Sequence, residues 1–378
     1  MAKKVGIITF HNSYNCGSML ESYAIEKHLL NKGINCEIID FSSDKQKELY
    51  SVFFKNTSLR NIIKNIVIFP LSRRIKNNNK LYEQFKNDNM ILSKKYNTGD
   101  KIDDKYIVTV AGSDQIWNID IKDSDDNYFL PWAKKSRKVA YAPSFGAKRI
   151  ENYTTDSSKY YTFLSAFDAL SIRENNGQKW LEEFVEKKVP VLIDPTLLLN
   201  KGDYELIEDN EYDIPKKDYI FFYCPKFNKE ICKLVKSISQ KYNLPVIVWS
   251  TKSYCLKFGY LYGFNLIKKE SPSIYLKMIK NAKLVITTSF HGTIFSTIYR
   301  KNFWVIKNGE MYGDDDRVIT LVNQLHISDR LIESTFKEKF NYVKDVNYKE
   351  YDKELPKLQK KANDFIDENI GDYYEKGK

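Results

Sequence analysis

The sequence predicts an α/β protein in two parts, and three observations carry that prediction. Apolar runs of strand length alternate with stretches of helical spacing; the alternation opens at Val5 and starts afresh at Asp218; and 378 residues exceed the usual size of one core. An apolar fraction of 42% with 14% aromatics is enough for packed interiors and excludes a disordered chain.

In the first part, Val5–Phe10 is a short hydrophobic strand. It is followed by the polar loop 11–18 and a helix marked by Met19, Tyr23, Ile25, Leu29 and Leu30. Gly33 ends that helix and a second strand runs from Cys36 to Phe41. This β-α-β opening lacks the closely spaced glycines of a dinucleotide fingerprint, so NAD and FAD are not expected. The loop lies where open α/β sheets bind ligands. His11, Asn15 and Gly17 are therefore candidates to line a cleft, although Asn15 and Gly17 also suit a plain turn. Residues 44–100 interrupt the alternation with a Lys- and Asn-rich, mostly helical insertion. Its apolar face, Leu59, Ile62, Ile63, Ile66 and Val67, is flanked by Arg60, Lys64, Arg73 and Arg74; such a face either packs on the domain or lies on a membrane interface.

Alternation returns with a strand from Tyr106 to Ala111, ending in Gly112-Ser113-Asp114, where Asp114 can face a ligand or cap a helix. The next strand is Lys138–Ala142. Ala169–Ile172 follows and ends in Arg173, whose guanidinium suits two-pronged capture of a carboxylate or phosphate, or else a local ion pair with Glu174 or Asp194. Val191–Thr196 reads as the crossover to the second part. There the pattern is strand 219–223, helix 229–242, strand 246–249, helix 274–281, strand 284–288 and strand 303–306. The stretch KLVITTSFHGTIFSTIY, 283–299, is a strand, a tight turn and a helix start; its first helical turn favours an anion beside Ser289, His291, Gly292 and Thr293. Taken without company, Ser289 is a helix cap and His291 a loop histidine. Gly309, Gly313 and the acidic trio Asp314-Asp315-Asp316 precede Arg317 and a helix; three consecutive carboxylates cannot all face one ion, so no metal is expected. The domain expectation is 1–195, 196–345 and a helical tail 346–378.

Five cysteines with no Cys-x-x-Cys pair and 4 histidines exclude a zinc framework and fit a reduced, cytoplasmic setting. The apolar run before His11 is too short for a signal-peptide core and no segment reaches membrane-spanning length, which predicts a soluble or at most peripheral protein. The net charge is +11, from 60 Lys+Arg against 49 Asp+Glu, and much of the excess falls between Lys55 and Lys105 without a dense basic stripe of stacking aromatics. Nucleic acid is not expected; an anionic substrate, or a membrane surface carrying one, fits better.

The polar stations at the strand ends, taken in order, resemble the polysaccharide pyruvyl transferase family. The segments are HNSYNCGSMLESYAI, GSDQIWN, YAPSFG, SIREN, VLIDPTLLL, ITTSFHGTIFS and DDRVITLV, spanning Val5 to Leu325. The resemblance implies two Rossmann-like domains facing across a cleft, similar to GT-B glycosyltransferases, with acceptor on the N-terminal and donor on the C-terminal side. The implied activity is transfer of the enolpyruvyl carbons of phosphoenolpyruvate to a sugar, closing a cyclic ketal and releasing phosphate, with no cofactor and no metal. The acceptor is a sugar or glycan, lipid-linked in one variant of the reading. Matched position by position, the family's SFHG histidine is His291, its SIRE arginine Arg173 and its GSD aspartate Asp114, the expected catalytic set. Asn15, Gly17, Ser113, Ser289, Gly292, Thr293 and Arg317 are the expected substrate-binding set. Two other readings keep the fold: a glycosyltransferase with a nucleotide-sugar donor, for which Glu310 is the available ribose carboxylate, and a noncatalytic carbohydrate-binding relative.

Overall fold

The computed structural model describes residues 3–185, 187–225, 228–307 and 316–376. Gly309, Glu310, Gly313, Asp314 and Asp315 lie outside the described residues.

In the first half the strands are β1 (Val5–Ile8), β2 (Cys36–Ile38), β3 (Phe41–Ser42), β4 (Tyr96–Asn97), β5 (Val108–Ala111), β6 (Arg137–Ala140) and β7 (Ala169–Leu170). Five of them form one parallel sheet in the order β2-β1-β5-β6-β7, while β3 and β4 pair separately and bracket the insertion. The second half contributes β8 (Ile220–Tyr223), β9 (Val246–Val248), β10 (Asn265–Leu266), β11 (Leu284–Thr287), β12 (Phe303–Ile306) and β13 (Leu331–Ile332). These make a parallel sheet in the order β10-β9-β8-β11-β12-β13. The strands are buried on both faces, which is why they read as continuous apolar runs without alternation. The direction of winding reverses between β1 and β5 in one sheet and between β8 and β11 in the other. Loops diverge at such points and leave room for a ligand.

Helix Cys16–Asn31 leaves β1 and is buried along most of its length. It packs on helices Pro272–Asn281 and Phe290–Ile298 of the second half, so one apolar core runs from Val5 and Ile7 through Tyr23 and Tyr204 to Phe295 and Tyr351. The strand expected to reach Ala142 stops at Ala140, because Ala142 takes φ +48° and turns the chain out of the sheet. His11 does not line a cleft: it is fully buried, with Nε2 on Asp40 Oδ1 at 3.1 Å and Nδ1 on the Thr9 carbonyl at 3.2 Å.

The insertion folds as helices Asp44–Leu49, Leu59–Ile68 and Ser72–Asn89. The middle one rests on Thr251–Leu256 of the second half through Val67, Ile68, Cys255 and Leu256. Its remaining apolar residues face outward, with Leu59 73% and Ile66 67% exposed. The tail forms helix Lys349–Ile366, a wide turn Asp367–Gly371 and a last helix Asp372–Lys376. It returns to the first half, where Asn363 meets His28 Nε2 at 2.9 Å, Asp367 meets Lys32 at 2.8 Å and the Asn369 side-chain oxygen accepts from Arg137 at 3.1 Å.

Candidate active site

The loops at the two reversal points meet around one carboxylate, Asp194. Its Oδ2 accepts from Arg173 Nη1 at 2.7 Å and lies 3.3 Å from His291 Nε2; its Oδ1 accepts from the Thr196 hydroxyl at 2.6 Å and the Thr196 backbone N–H at 3.0 Å. Arg173 also reaches Asp114 Oδ1 at 3.4 Å, and its guanidinium lies 4.3 Å from the centre of the Phe290 ring. The other Asp114 oxygen accepts from the Ser18 hydroxyl at 2.6 Å. His291, Asp114 and Arg173 are thus brought together, from two loops and one helix start and from both halves of the chain.

Local chemistry explains each placement. Asp114 sits at φ +67°, a left-handed conformation that aspartate tolerates better than most residues, and no helix follows it, so it is not a cap. The backbone there joins Pro143 in an isolated bridge, and its carbonyl accepts from the Ser144 N–H at 2.8 Å. Asn15 caps helix Cys16–Asn31 by accepting from the Gly17 N–H at 2.9 Å, and Ser289 caps helix Phe290–Ile298 by accepting from the Gly292 N–H at 3.2 Å. The first turns of the two helices touch where the His291 ring packs against Gly17. A Cβ on Gly17 would stand 2.3 Å from His291 Nδ1, so only glycine admits the ring.

Three expected binding residues are placed differently from the expectation. Ser113 is fully buried; its hydroxyl donates to the Ala142 carbonyl at 2.7 Å and lies 3.4 Å from Asp194, so it braces the cluster from below and does not line an opening. Thr293 is fully buried and donates back to the Ser289 carbonyl at 3.0 Å, a bond typical of a hydroxyl in a first helical turn. Gly292 is set by packing, since a Cβ there would come within 2.5 Å of Thr287 Oγ1. Asn15 and Ser289 are half-buried. Arg317 is buried close enough to Glu174 for its charge to favour the Glu174 carboxylate. Of the two local partners considered for Arg173, the geometry selects Asp194.

Two more carboxyl groups belong to the same cluster: Glu21, not singled out from the sequence, and Glu174, considered there only as an ion-pair partner for Arg173. Glu21 is fully buried and accepts from the Thr9 hydroxyl at 2.9 Å and the Ser113 N–H at 3.1 Å. Burial, and then the charges of Asp194 and Asp114, push its carboxyl well up. Glu174 accepts from the Phe145 N–H at 2.9 Å through Oε1, whereas its buried Oε2 has no hydrogen-bond partner among the described residues. Burial pushes its carboxyl up to about 7, against the pull of Arg173 and Arg317. Asp114 and Asp194 shift the other way. Burial opposes their ionisation most strongly, but Arg173 and His291, with the Ser18 bond at Asp114 and the Thr196 bond at Asp194, outweigh it and hold both below the usual carboxylate range.

A carboxylate oxygen can only accept, so the Asp194 contact puts a hydrogen on His291 Nε2. Nδ1 is the nitrogen turned toward Gly17. The ring therefore lies between residues of the first turns of helices Cys16–Asn31 and Phe290–Ile298, and helix N-termini favour an anion.

Sheet order, helix placement and a polar cluster between the halves define a GT-B-like α/β protein. Among solved structures, the UDP-GlcNAc 2-epimerase of Methanocaldococcus jannaschii has a similar fold, at TM-score 0.50 and 14% identity over 95% of this chain and 92% of that one. The UDP-N-acetylglucosamine 2-epimerase of Rickettsia bellii aligns at TM-score 0.48 and 12% identity, over 98% of this chain and 99% of that one. No curated protein matches the sequence. The family described as polysaccharide pyruvyl transferase matches residues 15–310, and the chain belongs to that family of transferases. Among the described residues no helix is long and apolar enough to cross a membrane.

Proposed function

We propose that the protein transfers pyruvate from phosphoenolpyruvate to two hydroxyls of a sugar, forming a cyclic ketal and releasing inorganic phosphate. The observation that carries this reading is the His291 ring, in the first turn of helix Phe290–Ile298, held by Asp194 and packed against Gly17 in the first turn of helix Cys16–Asn31, in a chain of this family. A doubly negative donor is favoured at such a place. The methylene carbon of the enol takes a proton and becomes a methyl group, and the first sugar hydroxyl adds to the neighbouring carbon. The carbon–oxygen bond to phosphate then breaks, and the second hydroxyl adds in its place. Two hydroxyl protons are released; one balances the proton taken up by carbon and the other leaves with phosphate. His291 is the group that carries protons in this scheme, and the Asp114 and Asp194 carboxylates oppose the positive charge that develops at the central carbon. Asn15, Gly17 and Ser289 form the donor's surroundings, and Arg317 adds positive charge nearby.

The test is incubation with phosphoenolpyruvate and a panel of sugar acceptors, following phosphate and ketal, with a parallel set of nucleotide sugars. Phosphate together with ketal, abolished in His291→Gln, supports the reading. Release of a nucleoside diphosphate would replace it with glycosyl transfer, and no turnover with any donor would leave a carbohydrate-binding protein.

A further inference from the structure

Far along the chain from the Asp194 cluster, exposed apolar side chains are concentrated in two adjoining segments. Leu59, Ile62, Ile63 and Ile66 recur at helical spacing on the outward face of helix Leu59–Ile68, and Phe69 continues the row; exposure runs from 41% at Ile62 to 73% at Leu59. Phe258, Tyr260 and Leu261 are also exposed, directly after the Thr251–Leu256 helix on which that helix rests. A face this apolar would ordinarily be packed away, and in this fold it is the opposite face, through Val67 and Ile68, that packs.

The charge around it has one sign. Between Glu48 and Glu83 the chain carries seven cations and no carboxylate, and between Ser250 and Glu270 four cations and no carboxylate; together these equal the net charge of +11 of the entire chain. The remaining sequence is balanced, so the excess belongs to these two segments. They also meet at a depression of ≈ 590 Å³, to which Arg73, Arg74, Lys80, Lys268 and Lys269 contribute and where Pro70 adjoins the exposed Phe69.

We propose that this face docks the protein on an anionic phospholipid bilayer. The Leu59–Phe69 row enters the boundary between headgroups and acyl chains, and the basic depression beside it receives headgroup phosphate. An apolar row flanked by cations and free of acids is the pattern of a helix lying in a membrane surface. A protein partner would have to offer an acidic rim around an apolar centre, whereas an anionic leaflet offers both layers in that order. The proposal goes beyond the reaction and does not depend on it.

Flotation of the full chain with vesicles tests it. Binding is expected to vesicles containing phosphatidylglycerol, not to pure phosphatidylcholine, and is expected to weaken at high salt. Ile63→Asp with Ile66→Asp, and separately Arg73→Glu with Lys269→Glu, should each lower partitioning about tenfold or more, since each buried aliphatic side chain and each surface charge contributes on that order. All four positions are exposed, so melting temperature should not change. Failure to float with the anionic vesicles would overturn the proposal. So would a dimer in gel filtration that Ile63→Asp with Ile66→Asp dissolves, which would assign the face to a second copy of the chain.

Discussion

Gly17→Ala is the most direct probe of the contact between the two halves. The new methyl would stand 2.3 Å from His291 Nδ1, 2.6 Å from its Cγ and 2.8 Å from its Cβ. Reaching ordinary contact at ~3.6 Å requires the ring to move by about 1 Å. The Nε2 to Asp194 separation is already 3.3 Å, so a displacement of that size takes it beyond hydrogen-bond reach. Losing a bond to a charged partner costs about 1.5–3 kcal/mol, while alanine in place of glycine within a helix returns about 0.5–1 kcal/mol. The net loss of about 1–2 kcal/mol should lower Tm by only a few degrees. A reacting group misplaced by about 1 Å, in contrast, can lose on the order of a hundredfold in rate. Phosphate release from phosphoenolpyruvate in the presence of acceptor, measured beside a thermal melt, separates the two effects. Full turnover in a folded Gly17→Ala protein would refute the argument that His291 acts from the position Asp194 gives it.

Two further substitutions test the charges around it. Arg173→Lys cannot serve Asp194 and Asp114 together, because one ammonium replaces two separate N–H edges, and breaking a buried pair costs about 3–5 kcal/mol. The expected result is a Tm lowered by several degrees; an unchanged melt would show that the guanidinium is not a structural tie. Glu174 is pushed up to about 7 from an ordinary value of 4.5, so the stability it contributes is complete below the ordinary value and is lost as pH rises through about 7. The displacement corresponds to about 3 kcal/mol, and Glu174→Gln should remove that loss, so urea unfolding of the two proteins from about pH 4 to about pH 8 should give diverging profiles. Parallel profiles would refute the assignment.

Much of the fold is legible in the sequence because parallel strands buried on both faces are short unbroken apolar runs, and Val108–Ala111, Ile220–Tyr223 and Leu284–Thr287 are of that kind. Two-residue strands such as Asn265–Leu266 and Leu331–Ile332 are too short to leave a pattern. Helix Cys16–Asn31 is enclosed on nearly all sides, so Glu21 stands in no polar stripe that would advertise it. The turn around His291 was readable from the break between strand and helix spacing. Asp194 was visible only as a local partner for Arg173, because its contact with His291 joins positions 97 residues apart, and nothing local encodes that meeting. Ser113 and Thr293 mislead for a related reason: a hydroxyl in a polar loop reads as exposed until a backbone carbonyl within reach takes it inward.

The returning tail has a consequence for how the molecule is made. His28, Lys32 and Arg137, on the half synthesised first, find partners in Asn363, Asp367 and Asn369 near the other end of the chain. Val191 and Leu197 likewise offer carbonyls to Lys361 and Gln359. Since the N-terminal half leaves the ribosome first, part of its surface waits uncovered until the second half has been translated. The segment from Lys349 to Gly371 therefore closes the molecule in time as well as in space, and a chain cut before Lys349 would leave that surface bare however well each sheet had formed.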